Sequence, residues 1–128
     1  MQKDFDSWNE EKKQTNASEY LPFYREREIR WCRLGINIGF EQDGTGAGHA
    51  RPVLVLKAFS RSVCLIVPLT TSEKKNPYHV AVGLVAGTYA SAIISQLRLI
   101  DTKRLDSKLA VLDTATFEEI RKAVKAML

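Results

Sequence analysis

The sequence predicts a mainly β domain with one α-helix: a short-stranded antiparallel barrel or curled sheet on which a C-terminal helix packs. Three observations carry this expectation. Residues 53–59 and 63–67 are apolar, β-branched runs separated by a short polar turn around Ser60 and Ser62, the pattern of a hairpin of central strands. At the end of the chain the period changes, with Phe117, Ile120, Val124 and Met127 falling on one face of a helix. The length of 128 residues, with 45% hydrophobic and 27% charged, suits one globular domain with one core and excludes a collagenous, low-complexity or wholly disordered chain.

Residues 4–15 are helix formers with Phe5 and Trp8 three apart, so a short N-terminal helix is expected to dock those rings on the body or else to fray. Residues 16–22 read as a linker, which divides the chain into a helical extension at 1–24 and a domain at 25–128. From Arg27 a half-buried strand begins, Ile29, Trp31 and Arg33 alternating with Arg30, Cys32 and Leu34. Residues 35–49 hold five of the seven glycines and predict a long loop of the kind that carries function on small barrels. After the central hairpin comes a polar turn at 72–77 with Lys74 and Lys75. Strands at 78–82 and 92–94 follow, with a loop at 83–87 between them. Asp113 or Thr114 can cap the final helix, with Glu118 and Glu119 toward its positive end and Lys122 and Lys125 toward the other.

The longest apolar stretch, residues 63–69, is far short of the ~20 residues a membrane-spanning helix needs, and the polar N-terminus lacks the order of a secretory signal. A cytoplasmic protein is expected. Cys32 and Cys64 each lie in an apolar run with no ligand at metal spacing, so they are expected as small core residues and no metal or cofactor is called for. The net charge is +4, with three lysines against five carboxylates in residues 1–24, which leaves +6 on the rest. Such a body attracts a polyanion or an acidic protein segment.

Phosphate-binding glycine loops, dinucleotide fingerprints, serine elbows and zinc-type histidine pairs are all missing from the sequence. What remains is a set of polar residues at strand ends: Glu41 and Gln42, Arg51 before Pro52, the run Thr70, Thr71, Ser72, and Ser95, Gln96 and Arg98. The segments Asn37-Ile-Gly-Phe-Glu-Gln-Asp-Gly, Arg51-Pro-Val-Leu-Val-Leu, Val67-Pro-Leu-Thr-Thr and Gln96-Leu-Arg-Leu-Ile-Asp-Thr-Lys-Arg-Leu resemble, in order, those of the MazF/PemK toxin family. The resemblance spans about residues 27–125. It implies a small SH3-like barrel that forms a homodimer, cleaves single-stranded RNA without metal, and is held by a cognate antitoxin with an acidic tail.

The implied chemistry is attack of a ribose 2′-hydroxyl on the neighbouring phosphate, leaving a cyclic phosphate and a free 5′-hydroxyl. By its place in the motif, Arg51 would stabilise the phosphorane and could take part in proton transfer, while Thr70 would hydrogen-bond the scissile phosphate. Glu41, Gln42, Thr71, Ser72, Ser95, Gln96 and Arg98 would bind substrate, although Gln96 and Arg98 could instead line the dimer interface and Arg98 could pair with Asp101. Phe40 stands where some members carry histidine, and Ser95 where others carry an acidic residue, so the general base is open. His49 has a suitable pKa range for that role, or is an exposed bystander. His79 reads as structural. A non-catalytic barrel toxin similar to CcdB-type gyrase poisons, or a nuclease-dead binder of RNA or antitoxin, is the competing reading.

Overall fold

The computed structural model describes residues 23–34, 50–73 and 76–128. Its elements are β1 (Glu28–Arg33), β2 (Ala50–Ala58), β3 (Val63–Thr70), β4 (His79–Val85), β5 (Thr88–Ile93), β6 (Arg98–Asp101), β7 (Leu105–Val111) and helix α1 (Thr114–Met127). Single 3₁₀ turns, Ile94–Gln96 and Thr102–Arg104, flank β6. The strands form a curled antiparallel sheet in the order β4-β5-β3-β2-β1-β7.

β3 is the hub. One of its edges pairs with β2, from Val53 opposite Pro68 to Ala58 opposite Cys64. Its other edge takes β6 along residues 63–66 and β5 at Leu69 and Thr70. Two strands sharing one edge in succession bend the sheet into a half-barrel, as the apolar hairpin and the short strands of the sequence predict.

Both faces of the central strands are buried. Leu54 and Leu56 point into a core with Ile29, Val67, Leu69 and Ala92, which Phe117, Ile120 and Val124 of α1 cover. Val53 and Val55 point into a second core with Cys32, Cys64, Ile66, Ile100 and Leu105. A strand buried on both sides loses the polar half of the alternation, which is why β2 reads as a nearly continuous apolar run. The same arrangement corrects the half-buried pattern expected for β1, since Ile29 and Cys32 are both buried on opposite faces.

The C-terminal helix sits where its period places it. Asp113 is the cap, its carboxylate accepting from Thr116 N at 3.0 Å, and the same bonds hold its pKa below the usual carboxylate range. Burying Phe117 and Ile120 stabilises the docked helix by about 1.5–3 kcal/mol each.

Three expectations change. Residues 83–87 are no loop: β4 and β5 form one hairpin closed by Ala86 and Gly87, both at positive φ (51° and 85°), the geometry of a two-residue primed turn. The strand expected at 92–94 ends at Ile93, because Ile94 opens a 3₁₀ turn. β6 and β7 were not expected as strands, because exposed residues such as Arg98, Asp106 and Lys108 break their apolar pattern. The N-terminal helix, the glycine-rich segment 35–49 and Lys74 and Lys75 lie outside the described residues.

Candidate functional site

Arg51 and Thr70 lie at the same end of the β2–β3 ladder. The ladder closes with Val53 opposite Pro68, and one more step of that register sets Pro52 opposite Leu69. Pro52 has no N–H to offer. Arg51 Nη2 donates instead to the Leu69 carbonyl at 3.0 Å, which brings the guanidinium beside Thr70. The bond uses one of the five N–H donors of the fork, and among the described residues no carboxylate pairs with Arg51. The remaining donors can hold an anion at two oxygens.

Thr70 ends β3. Its Oγ1 accepts from Ser72 N at 3.1 Å, a turn that fixes the rotamer and leaves the hydroxyl proton to donate outward. Thr71 and Ser72 follow it, exposed. On the other side of Thr70, directly across the ladder, stands Ser91 of β5. Sequence reasoning missed Ser91, since nothing short of the β3–β5 register puts that serine next to the threonine.

Arg98 opens β6 opposite Ile66 and shares a neighbourhood with Cys32, which is itself the ladder partner of Arg51. Burial pushes the Cys32 thiol up to about 11, and the nearby charges of Arg104, Arg98 and Arg33 oppose that shift without cancelling it. Arg33 Nη1 donates to both carboxylate oxygens of Asp106, and Arg104 donates to the Arg33 carbonyl. Arg98 does not pair with Asp101, whose carboxylate instead accepts from Lys103 N at 2.9 Å. Arg98 is exposed at the start of β6.

Ser95 and Gln96 are exposed in the 3₁₀ turn that links β5 to β6, alongside the β3 edge between its two partners. Arg51, Thr70, Thr71 and Ser72 are thus gathered at one strand end, with Ser95, Gln96 and Arg98 along the adjoining edge. Glu41, Gln42 and His49 lie outside the described residues. His79 is half-buried opposite Ile93, and its Nδ1 has no partner among the described residues. Both cysteines are free and buried, and burial raises Cys64 to about 12, so neither thiol is a nucleophile near neutral pH. Among the described residues no three His, Cys, Asp or Glu side chains come together as metal ligands, and no helix is long and apolar enough to cross a membrane.

Fold and site together define a small curled half-barrel domain with one packed helix and a cluster of polar and basic side chains at its strand ends. Residues 25–128 match the model of the PemK-like, MazF-like toxins of type II toxin-antitoxin systems, and the chain belongs to that family. Its fold is similar to that of an endoribonuclease from a mycobacterial species solved with its cognate antitoxin, with a TM-score of 0.62 and 20% identity over 81% of this chain and 93% of that one. A MazE-MazF complex from Deinococcus radiodurans gives a TM-score of 0.64 and 19% identity, over 84% of this chain and 95% of that one. The Mycobacterium tuberculosis toxin MazF-mt6 gives 0.61 and 17%, over 78% and 94%. At these identities the likeness is one of fold. No curated protein sequence matches the chain.

Proposed function

We propose that the chain is a toxin endoribonuclease that cleaves single-stranded RNA by attack of a 2′-hydroxyl on the adjacent phosphate, without metal. The observation that carries this is the Arg51 guanidinium held beside Thr70 by the Leu69 carbonyl, with donors to spare. In-line attack gathers negative charge on the equatorial oxygens of a phosphorane, and a preset guanidinium stabilises that charge more than it stabilises the ground state. Thr70 donates to the same phosphate, and Arg98 holds a neighbouring one. The part of Arg51 is electrostatic in this reading and the proton acceptor lies elsewhere, with His49 the candidate.

Residues 25–128 are the catalytic domain in this reading and residues 1–24 an appended arm. The protein acts as a homodimer in the cytoplasm, and an antitoxin with an acidic tail competes with RNA for the basic strand ends. Relatives of the same fold are known as an endoribonuclease with its antitoxin and as a MazE-MazF complex, which supports that partner. The test is incubation of purified protein with a long single-stranded RNA in EDTA. Cleavage leaving 2′,3′-cyclic phosphate and 5′-hydroxyl ends supports the reading; intact RNA favours a non-catalytic toxin.

A further inference from the structure

The β4–β5 hairpin does not stop where β3 stops. Thr70 is the last residue of β3 and pairs with Ser91, while β5 and β4 run on past it to their turn at Ala86 and Gly87. Tyr89 lies two residues beyond Ser91 on an unbroken strand, so both side chains share the face of Thr70, spaced by about 7 Å. Leu84 is directly opposite Tyr89. Tyr89 is 74% exposed and Leu84 60% exposed, so this cross-strand apolar pair packs into neither core.

We propose that Tyr89, backed by Leu84, is a stacking platform for the base of a nucleotide next to the phosphate held at Arg51 and Thr70. The proposal rests on the ribonuclease reading and adds a subsite to it. Single-stranded RNA is held by alternating contacts to phosphates and to base faces, and a tyrosine ring supplies the second where the strand-end residues supply the first. The distance between Ser91 and Tyr89 is on the scale of one nucleotide step. β4 and β5 carry no charged residue, so this subsite contributes ring contact and no charge. Its signature is therefore a loss of affinity that salt does not modulate, whereas a phosphate contact such as Arg98 carries salt dependence.

The experiment is single-turnover cleavage of a long mixed-sequence single-stranded RNA, titrated with protein at several salt concentrations, for wild type, Tyr89→Ala, Tyr89→Phe and Arg98→Ala. Tyr89→Ala is expected to raise the half-saturating protein concentration by roughly 5-fold or more, with the plateau rate within about 2-fold of wild type and the salt slope unchanged. Tyr89→Phe should restore wild-type behaviour, and Arg98→Ala should lower the salt slope by about one. Since the ring is exposed, the melting temperature of Tyr89→Ala should match wild type. Tyr89→Ala indistinguishable from wild type, or equal losses in Tyr89→Ala and Tyr89→Phe, would overturn the stacking role and leave the nuclease standing. So would a Tyr89→Ala protein that sediments as a smaller species than wild type, because the pair would then be a subunit contact. A wild-type protein that cuts no RNA brings down the nuclease reading, and this proposal with it.

Discussion

Arg51 Nη2 bonds the carbonyl of Leu69 at 3.0 Å, and so a guanidinium takes the place that an ordinary strand would fill with the N–H of the following residue, here Pro52. The Arg-Pro pair is thereby a positioning device. Proline ends the β2–β3 ladder, and arginine replaces the missing bond with one donor of its guanidinium, which in the proposed reading leaves the others for substrate. Arg51→Lys retains the charge but has no planar fork, so it should slow single-turnover RNA cleavage by about 10-fold or more, and Arg51→Ala by ~10² or more. Both variants should keep the wild-type circular dichroism spectrum, since Arg51 lies outside the two cores.

Thr70 Oγ1 accepts from Ser72 N, and in the proposed reading the same hydroxyl donates to the scissile phosphate. Thr70→Ser keeps both and should cleave within about 10-fold of wild type, whereas Thr70→Val should lose ~10² in rate. Equal rates in the serine and valine variants, measured under single-turnover conditions, would remove the hydroxyl from the chemistry.

The sequence made the central hairpin legible because its two strands are near-continuous apolar runs buried on both faces, and the final helix because Phe117, Ile120, Val124 and Met127 keep one helical period. It hid β6 and β7, where single buried residues such as Ile100 and Leu105 sit among exposed charges. The hairpin turn at Ala86-Gly87 was hidden too, since alanine seldom accepts a positive φ and nothing local announces it. Of the candidate site, Arg51 and Thr70 could be named from their motifs. Ser91 and Tyr89 could not, because their place depends on the register of β5 against β3.

Glu28 is buried at the start of β1 and accepts from Arg30 Nη1 at 2.8 Å, with Lys108 Nζ at 3.9 Å on its other oxygen. Removing one partner of a buried pair strands the other charge. Arg30→Met should destabilise the domain by about 3 kcal/mol in urea unfolding, the low end for such a loss because Lys108 remains. A change within 0.5 kcal/mol, of order the scatter for surface substitutions, would show that water reaches Glu28 freely.

Alkaline pH should weaken the fold. Burial raises Cys32 from 9.0 to about 11, Cys64 from 9.0 to about 12 and Tyr24 from 10.0 to about 12. Each of these acids therefore keeps its proton longer in the folded state than in the unfolded chain. Their contribution is complete below pH 9 and is lost as pH climbs toward 12, since the unfolded state ionises first. Urea midpoints should fall steadily across that window, and Cys64→Ala should flatten the fall. At pH 8 the two thiols should react with a disulfide reagent only after denaturant is added.

The proposed reaction uses the Arg51 guanidinium and the Thr70 hydroxyl at the β2–β3 strand end to stabilise the phosphate under attack, without metal. It is tested most directly by end-group analysis of a long single-stranded RNA incubated in EDTA with wild type and with Arg51→Ala. The account predicts 2′,3′-cyclic phosphate and 5′-hydroxyl ends from wild type, and at least ~10²-fold slower appearance of the same ends from the variant. Cleavage that requires added divalent metal, or that proceeds at the wild-type rate without Arg51, would contradict it.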